Sequence, residues 1–188
     1  MGTIHQIVVF FFVFLLISCK SATNKEVSGE TPKAFTCKPY FEFDQLEHYY
    51  SPVSDFDTSI WKLIEKETLS AKEKRLMELL TQQKPASFSD TSMLKGIEDL
   101  GFQKRILPSK QFQAINEVFC ERKHENNNAL TAIGMYKDIL VFKRQNQIIG
   151  FAKVSFEKMY SIIAGTDKNT DEFGQSGDYQ KLYRLLHP

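Results

Sequence analysis

Residues 136–156 read YKDILVFKRQNQIIGFAKVSF, and how this stretch pairs with itself decides the fold class. Ile139, Leu140, Val141 and Phe142 form a continuous apolar run, the mark of a strand buried on both faces or of a short core segment. Arg144, Gln145, Asn146 and Gln147 interrupt it with polar residues suited to a tight turn. Beyond them Ile148, Gly150, Ala152, Val154 and Phe156 recur at period two, placing them on one face of a second strand. The two halves therefore predict a β-hairpin, and with it an antiparallel sheet.

Outward from the hairpin, Tyr160–Ala164 reads as an added edge strand, and 112–121 as a strand through its aromatic and β-branched residues. The aromatic stretch 40–50 (YFEFDQLEHYY) reads as a strand, or a strand broken near Asp44. Helical signals fill the first half. Asp57 can cap a helix whose Ile60, Trp61 and Ile64 share a face. Ser70 and Glu73 make a capping box for a second helix carrying Leu69, Leu76, Met77 and Leu80. Asp90 can cap a third with an apolar stripe of Met93, Leu94, Ile97 and Leu100, ended by Gly101 with Phe102 folding back on Ile97. After a Gly- and Asp-rich loop, Tyr179, Leu182, Tyr183 and Leu186 mark a last helix starting near Asp178. Helices first and hairpin strands later predict an α+β domain. Its N-terminal helices pack on one face of an antiparallel sheet that is covered on one side, and a C-terminal helix closes the chain.

At the N-terminus, residues 7–17 are all apolar. As a helix they would span about 16 Å, roughly half of a bilayer core, so the run suits a secretory signal better than a membrane span. It stops at Leu16-Ile17-Ser18-Cys19, which resembles the lipobox of bacterial lipoproteins. Residues 1–6 depart from the usual signal in carrying no Lys or Arg. The resemblance implies that residues 1–18 are a signal peptide cut before Cys19. The Cys19 thiol would then carry a diacylglyceryl group and its freed amine a fatty acid such as palmitate; several chains on one residue give stable membrane attachment where one gives only marginal binding. Lys20 stands where an Asp commonly retains lipoproteins at the inner membrane, so the implied location is the outer membrane, facing the periplasm. The polar stretch up to residue 34, without apolar period, reads as a tether, leaving 35–188 as one globular domain. The C-terminal half, notably 136–156 and FGQSGDYQKL, also resembles small uncharacterised envelope lipoproteins, a likeness that implies no activity.

Charge is balanced, with 24 Lys and Arg against 23 Asp and Glu. No basic cluster offers a nucleic acid a counterion-releasing surface, so that partner is not expected. With Cys19 assigned to lipid, Cys37 and Cys120 remain as an even pair in an oxidising compartment, which points to a disulfide. The alternative is a Cys120 packed as a small apolar residue with Cys37 free.

Residue types that could carry chemistry are sparse. Cys120 and His124 would lie about 13 Å apart on an extended strand, beyond proton-transfer reach. Gly174-Gln175-Ser176-Gly177 matches half of a nucleophile elbow, but Asp178 stands where the pattern needs Gly, so Ser176 reads as a turn or cap. Glu42 and Asp44 could share a strand face and read as solvated surface. Asp167, Asn169, Asp171 and Asp178 echo the oxygen-ligand spacing of a calcium loop, with Glu172 in place of the glycine needed at its sixth position. His48 and His187 have no partner at metal-ligand spacing. No cofactor is expected. The reading is a non-enzymatic, lipid-anchored envelope domain of inhibitor or immunity type that binds another envelope protein. Its rival is a periplasmic hydrolase assembled only in three dimensions, with His48, His124 or His187 converging on an acid or on Ser176. A small-ligand carrier with a large apolar cavity is a third reading.

Overall fold

A five-stranded antiparallel sheet and a two-stranded ribbon organise the computed structural model, which describes residues 37–52, 58–81, 91–122 and 134–188. The described residues lie within the unit Phe35–Pro188. The expected signal peptide, Cys19, the expected tether and His124 fall outside them. In chain order the elements are β1 (Lys38–Pro39), β2 (Gln45–Tyr50), α1 (Thr58–Glu65), α2 (Ala71–Thr81), β3 (Gln103–Ile106), α3 (Phe112–Val118), β4 (Cys120–Glu121), β5 (Asp138–Arg144), β6 (Gln147–Ser155), β7 (Tyr160–Ala164) and α4 (Asp178–Leu186). The main sheet runs β3-β2-β5-β6-β7, and β1 pairs with β4. The class is α+β, as the hairpin predicts.

The β5–β6 hairpin turns over two residues, Gln145 and Asn146, both at positive φ (50° and 64°). That is the backbone twist that two-residue hairpin loops require. The Asp44 carboxylate accepts the Gln145 N–H at 2.9 Å, tying the start of β2 to the turn. A bulge between Phe142 and Lys143 shifts the register so that Phe142 faces Gly150 and Lys143 faces Ile148. One extra residue, Ile149, reverses the faces locally. Ile148 accordingly packs with the core on the opposite side of the sheet from Ala152 and Val154, not on the shared face that strict alternation predicts.

The sheet is covered on both faces, where the sequence pattern predicts one. Leu46, Leu140, Phe142, Ala152 and Val154 pack with Ile115 and Val118 of α3 and Leu182 and Leu186 of α4. Tyr49, Ile139 and Val141 pack on the other side with Ile60 of α1, Leu79 and Leu80 of α2, Ile97 and Phe102. The reason lies in β5: Ile139, Leu140, Val141 and Phe142 all have 0% exposure. Four consecutive apolar residues point alternately up and down, so each face must be buried.

Three further expectations change. Residues 112–121 form α3 followed by a two-residue strand, because Phe112, Ile115 and Val118 repeat at helical spacing and this period prevails over β propensity. The single helix expected up to Leu100 is two 3₁₀ turns, Thr91–Leu94 and Glu98–Leu100, parted by Gly96 at φ 62°. Gly101, at φ 94°, ends the second as expected, with Ile97 and Phe102 in the same core cluster. On α1, Ile64 is 51% exposed and Leu63 packs against the core instead. Asp57 and Asp90 lie outside the described residues. The capping box holds: the Ser70 N–H donates to Glu73 Oε2 at 2.8 Å and the Glu73 N–H to Ser70 Oγ at 3.3 Å.

Cys37 and Cys120 form a disulfide with Cα atoms 5.8 Å apart, beside the β1–β4 ribbon in which Lys38 pairs with Glu121 and Pro39 with Cys120. Beyond the ribbon Phe41 stacks on Phe142 at 4.2 Å. Gly150 makes room for this ring: a Cβ there would lie 2.2 Å from Phe41 Cε1.

Candidate functional site

Alternation along β2 and β5 turns His48 and Asp138 to the same face of the sheet, and the C-terminus of α4 brings His187 over them. His48 Nε2 lies 2.7 Å and His187 Nε2 2.9 Å from the same Asp138 oxygen, Oδ1. On the far side of the His48 ring, Arg105 Nη2 from β3 is 3.2 Å from Nδ1. A guanidinium only donates, so His48 Nδ1 must accept and the ring's single proton sits on Nε2, directed at Asp138. His48 is therefore neutral. Burial pushes its basicity down, and the nearby Arg105 charge acts the same way, against the raising pull of Asp138. Burial raises the Asp138 carboxyl, but hydrogen bonds from His187 and His48 outweigh it and hold the group below its ordinary range. His48 and Asp138 are buried, whereas the His187 side chain is 29% exposed.

The three donor atoms lie within 4.8 Å of one another, a spacing open to a metal ion. Their surroundings do not fit one. A metal-bound imidazole donates its other N–H to an acceptor. Here the other nitrogen of His48 meets Arg105, which offers only protons, and an ion would add its charge beside a guanidinium. The arrangement is a closed hydrogen-bond relay, Arg105 to His48 to Asp138, with His187 donating from the opposite side. Among the described residues neither imidazole is hydrogen-bonded to a Ser, Thr or Cys.

His187 also carries an aromatic wall. Tyr183 lies 4.8 Å from it and Phe156 5.8 Å, with Phe156 edge-on to Tyr183 at 5.2 Å. These two rings, with Met159, Tyr179 and Arg184, line a surface groove of about 420 Å³ between the β6–β7 turn and α4. The sequence FGQSGDY shapes one side of it. A Cβ at Gly174 would lie 2.2 Å from Tyr179 Cε2, so glycine admits that ring. The Asp178 carboxylate accepts from the Gly174 N–H at 3.0 Å and from Arg122 Nη1 at 2.7 Å, fixing the start of α4.

Of the residues singled out in the sequence, His48 and His187 belong to this cluster, and the others among the described residues make contacts of their own. Asp178 is buried in the contacts just given. The Asn169 side chain accepts from the Asp171 N–H at 2.9 Å, and Asp167 pairs with Lys168 at 2.5 Å, so these two calcium-loop candidates, like Asp178, are engaged in local contacts. Ser176 lies in the turn before α4, where its carbonyl accepts from Lys181. Glu42 is exposed and pairs with Arg144 at 3.1 Å. His48 and His187 do converge on an acid, Asp138, whose partnership no local spacing announces because the chain separates the three by 90 and 49 residues. A further buried carboxylate, Glu47, takes Lys143 at 2.6 Å, Lys104 at 3.0 Å and the Tyr49 hydroxyl at 3.0 Å on the other face of the sheet. No family model, no curated protein and no solved structure matches this chain.

Proposed function

We propose that the chain is an exported bacterial lipoprotein, held through acylated Cys19 at the outer membrane, whose folded domain binds another envelope protein without catalysis, in the manner of an inhibitor or immunity factor. The observation that carries this reading is the disulfide between Cys37 and Cys120. Disulfides of this kind persist in oxidising compartments and are rare in the cytosol, which agrees with the lipobox on independent grounds. The bond also sits where the tether enters the domain, closing the β1–β4 ribbon at the point that any pull from the membrane would reach first.

The binding half of the proposal rests on the groove beside α4, whose aromatic wall the His187–Asp138–His48 relay holds in place. The hydrolase alternative draws on the same convergence of histidines and acid. Against it, both Nε2 atoms are committed to Asp138, and His48 is sealed between Asp138 and Arg105. Intact mass of protein recovered from the membrane fraction tests the anchor. The expected species begins at Cys19 and carries lipid there; a membrane-bound product retaining residues 1–18, or an unmodified Cys19, overturns the proposal.

A further inference from the structure

Met159 occupies a position that turn chemistry assigns to other residues. It lies in the turn between β6 and β7 at φ 50°, a left-handed conformation that Gly, Asn or Asp adopt at lower cost. Its side chain is apolar and the residue is 40% exposed. A residue that is unfavourable both for its backbone and for its exposure directs attention to what its side chain lines, and Met159 lines the groove. Across the groove Tyr183 is 50% exposed, its inner edge propped by His187 and Phe156. Of the four large hydrophobic residues exposed among those described, two, Met159 and Tyr183, line this one groove. Methionine adapts its shape to what it meets and tyrosine presents a rigid ring at low entropy cost.

The charges at the rim set the sign of the partner. Glu157, which also lines the groove, pairs with Lys158 at 2.8 Å. Arg184, exposed on the turn of α4 beside Tyr183, meets no carboxylate among the described residues. The groove thus presents an apolar slot with one uncompensated cation at its edge.

We propose that this groove receives an apolar side chain that a protein partner carries next to a carboxylate, the ring or aliphatic group seated between Met159 and Tyr183 and the acid on Arg184. The inference rests on the binding-domain reading above and specifies the chemistry of its partner. It fails separately from that reading, since anchoring is judged by the mass of the Cys19 peptide and the groove by the Met159 methyl group.

The test uses the purified full chain in detergent micelles, with ¹³C-methyl-labelled methionine and the Met159 signal assigned through Met159→Leu. Two capped pentapeptides are titrated, Gly-Asp-Phe-Asp-Gly and Gly-Lys-Phe-Lys-Gly. The expected result is a saturable shift of the Met159 methyl with the acidic peptide, bound about two- to fivefold more tightly than the basic one, the size of an exposed ion pair. Arg184→Glu should reverse that order while leaving the other methionine signals in place. Equal binding of the two peptides, or a Met159 signal that neither moves, overturns the proposal. So does a shift that grows with protein concentration alone, which would make a second copy of the chain the occupant.

Discussion

Tyr183 rests on His187 with ring centroids 4.8 Å apart and planes inclined by 31°, and the far edge of that imidazole is fixed to Asp138 at 2.9 Å. The exposed wall of the groove is thereby coupled to a carboxylate in the middle of the sheet. The coupling runs through side chains of α4, its C-cap residue and β5, so altering the buried member should be felt at the surface.

Replacing Asp138 by Ala removes the acceptor of two imidazole N–H groups, one of them on a ring with 0% exposure. Leaving a buried donor unsatisfied costs about 1–3 kcal/mol. The expected outcome of urea unfolding is a loss in that range for Asp138→Ala and a smaller one for Asp138→Asn, whose amide oxygen still accepts. The Met159 methyl signal should move in Asp138→Ala, reporting a displaced Tyr183.

His48 is neutral in the fold and is held below the 6.5 of an exposed imidazole, so the unfolded chain binds a proton that the native one refuses. Its contribution is fully present above pH 6.5 and is lost as pH falls below that value. Asp138, lowered from 3.8, adds stability that persists above pH 3.8 and is lost only as pH falls through its folded value. Melting temperatures between pH 8 and 5 should therefore decline toward acid. In His48→Asn the part of that decline due to His48 should vanish, and an unchanged slope would refute the neutral assignment.

The Cys37–Cys120 bond closes a loop of 83 residues. In the chain-entropy account such a crosslink stabilises the fold by about 4.5 kcal/mol. Unfolding of Cys37→Ser/Cys120→Ser, compared with the parent chain in the absence of reductant, should show a loss approaching that size. A loss below about 1 kcal/mol would show that the ribbon holds without it.

At Gly150 a Cβ would come within 2.2 Å of the Phe41 ring and 2.8 Å of the Ala164 carbonyl oxygen. Overpacking of this kind costs about 1–3 kcal/mol. Gly150→Ala should be destabilised accordingly. Because the two positions share one space, the combination with Phe41→Leu should cost less than the sum of the single changes.

Local pattern was enough for elements whose cause is local. The alternation from Gly150 onward and the polar turn at Arg144–Gln147 announced the hairpin, and Ser70 with Glu73 announced the start of α2, because turns and caps are made by residues within a few positions of each other. Where two local signals conflicted, as at 112–121, helical spacing defeated β propensity. The bulge at Ile149 left no trace in the pattern, since an extra residue is only visible against its partner strand.

Periodicity made an α+β chain with an antiparallel hairpin legible, and on the expectation that Cys19 carries lipid, counting left Cys37 and Cys120 as a pair. These follow from periodicity and from counting, which need no knowledge of the path of the chain. That the sheet is covered on both faces, that Cys37 meets Cys120, and that His48 and His187 share one oxygen of Asp138 emerges from the folded chain alone. The physical reason is that a buried polar group needs partners but does not specify where in the chain they lie. Arg105 became the residue that fixes the His48 tautomer because β3 happens to pair beside β2, a neighbourhood set by sheet order and not by any spacing along the chain.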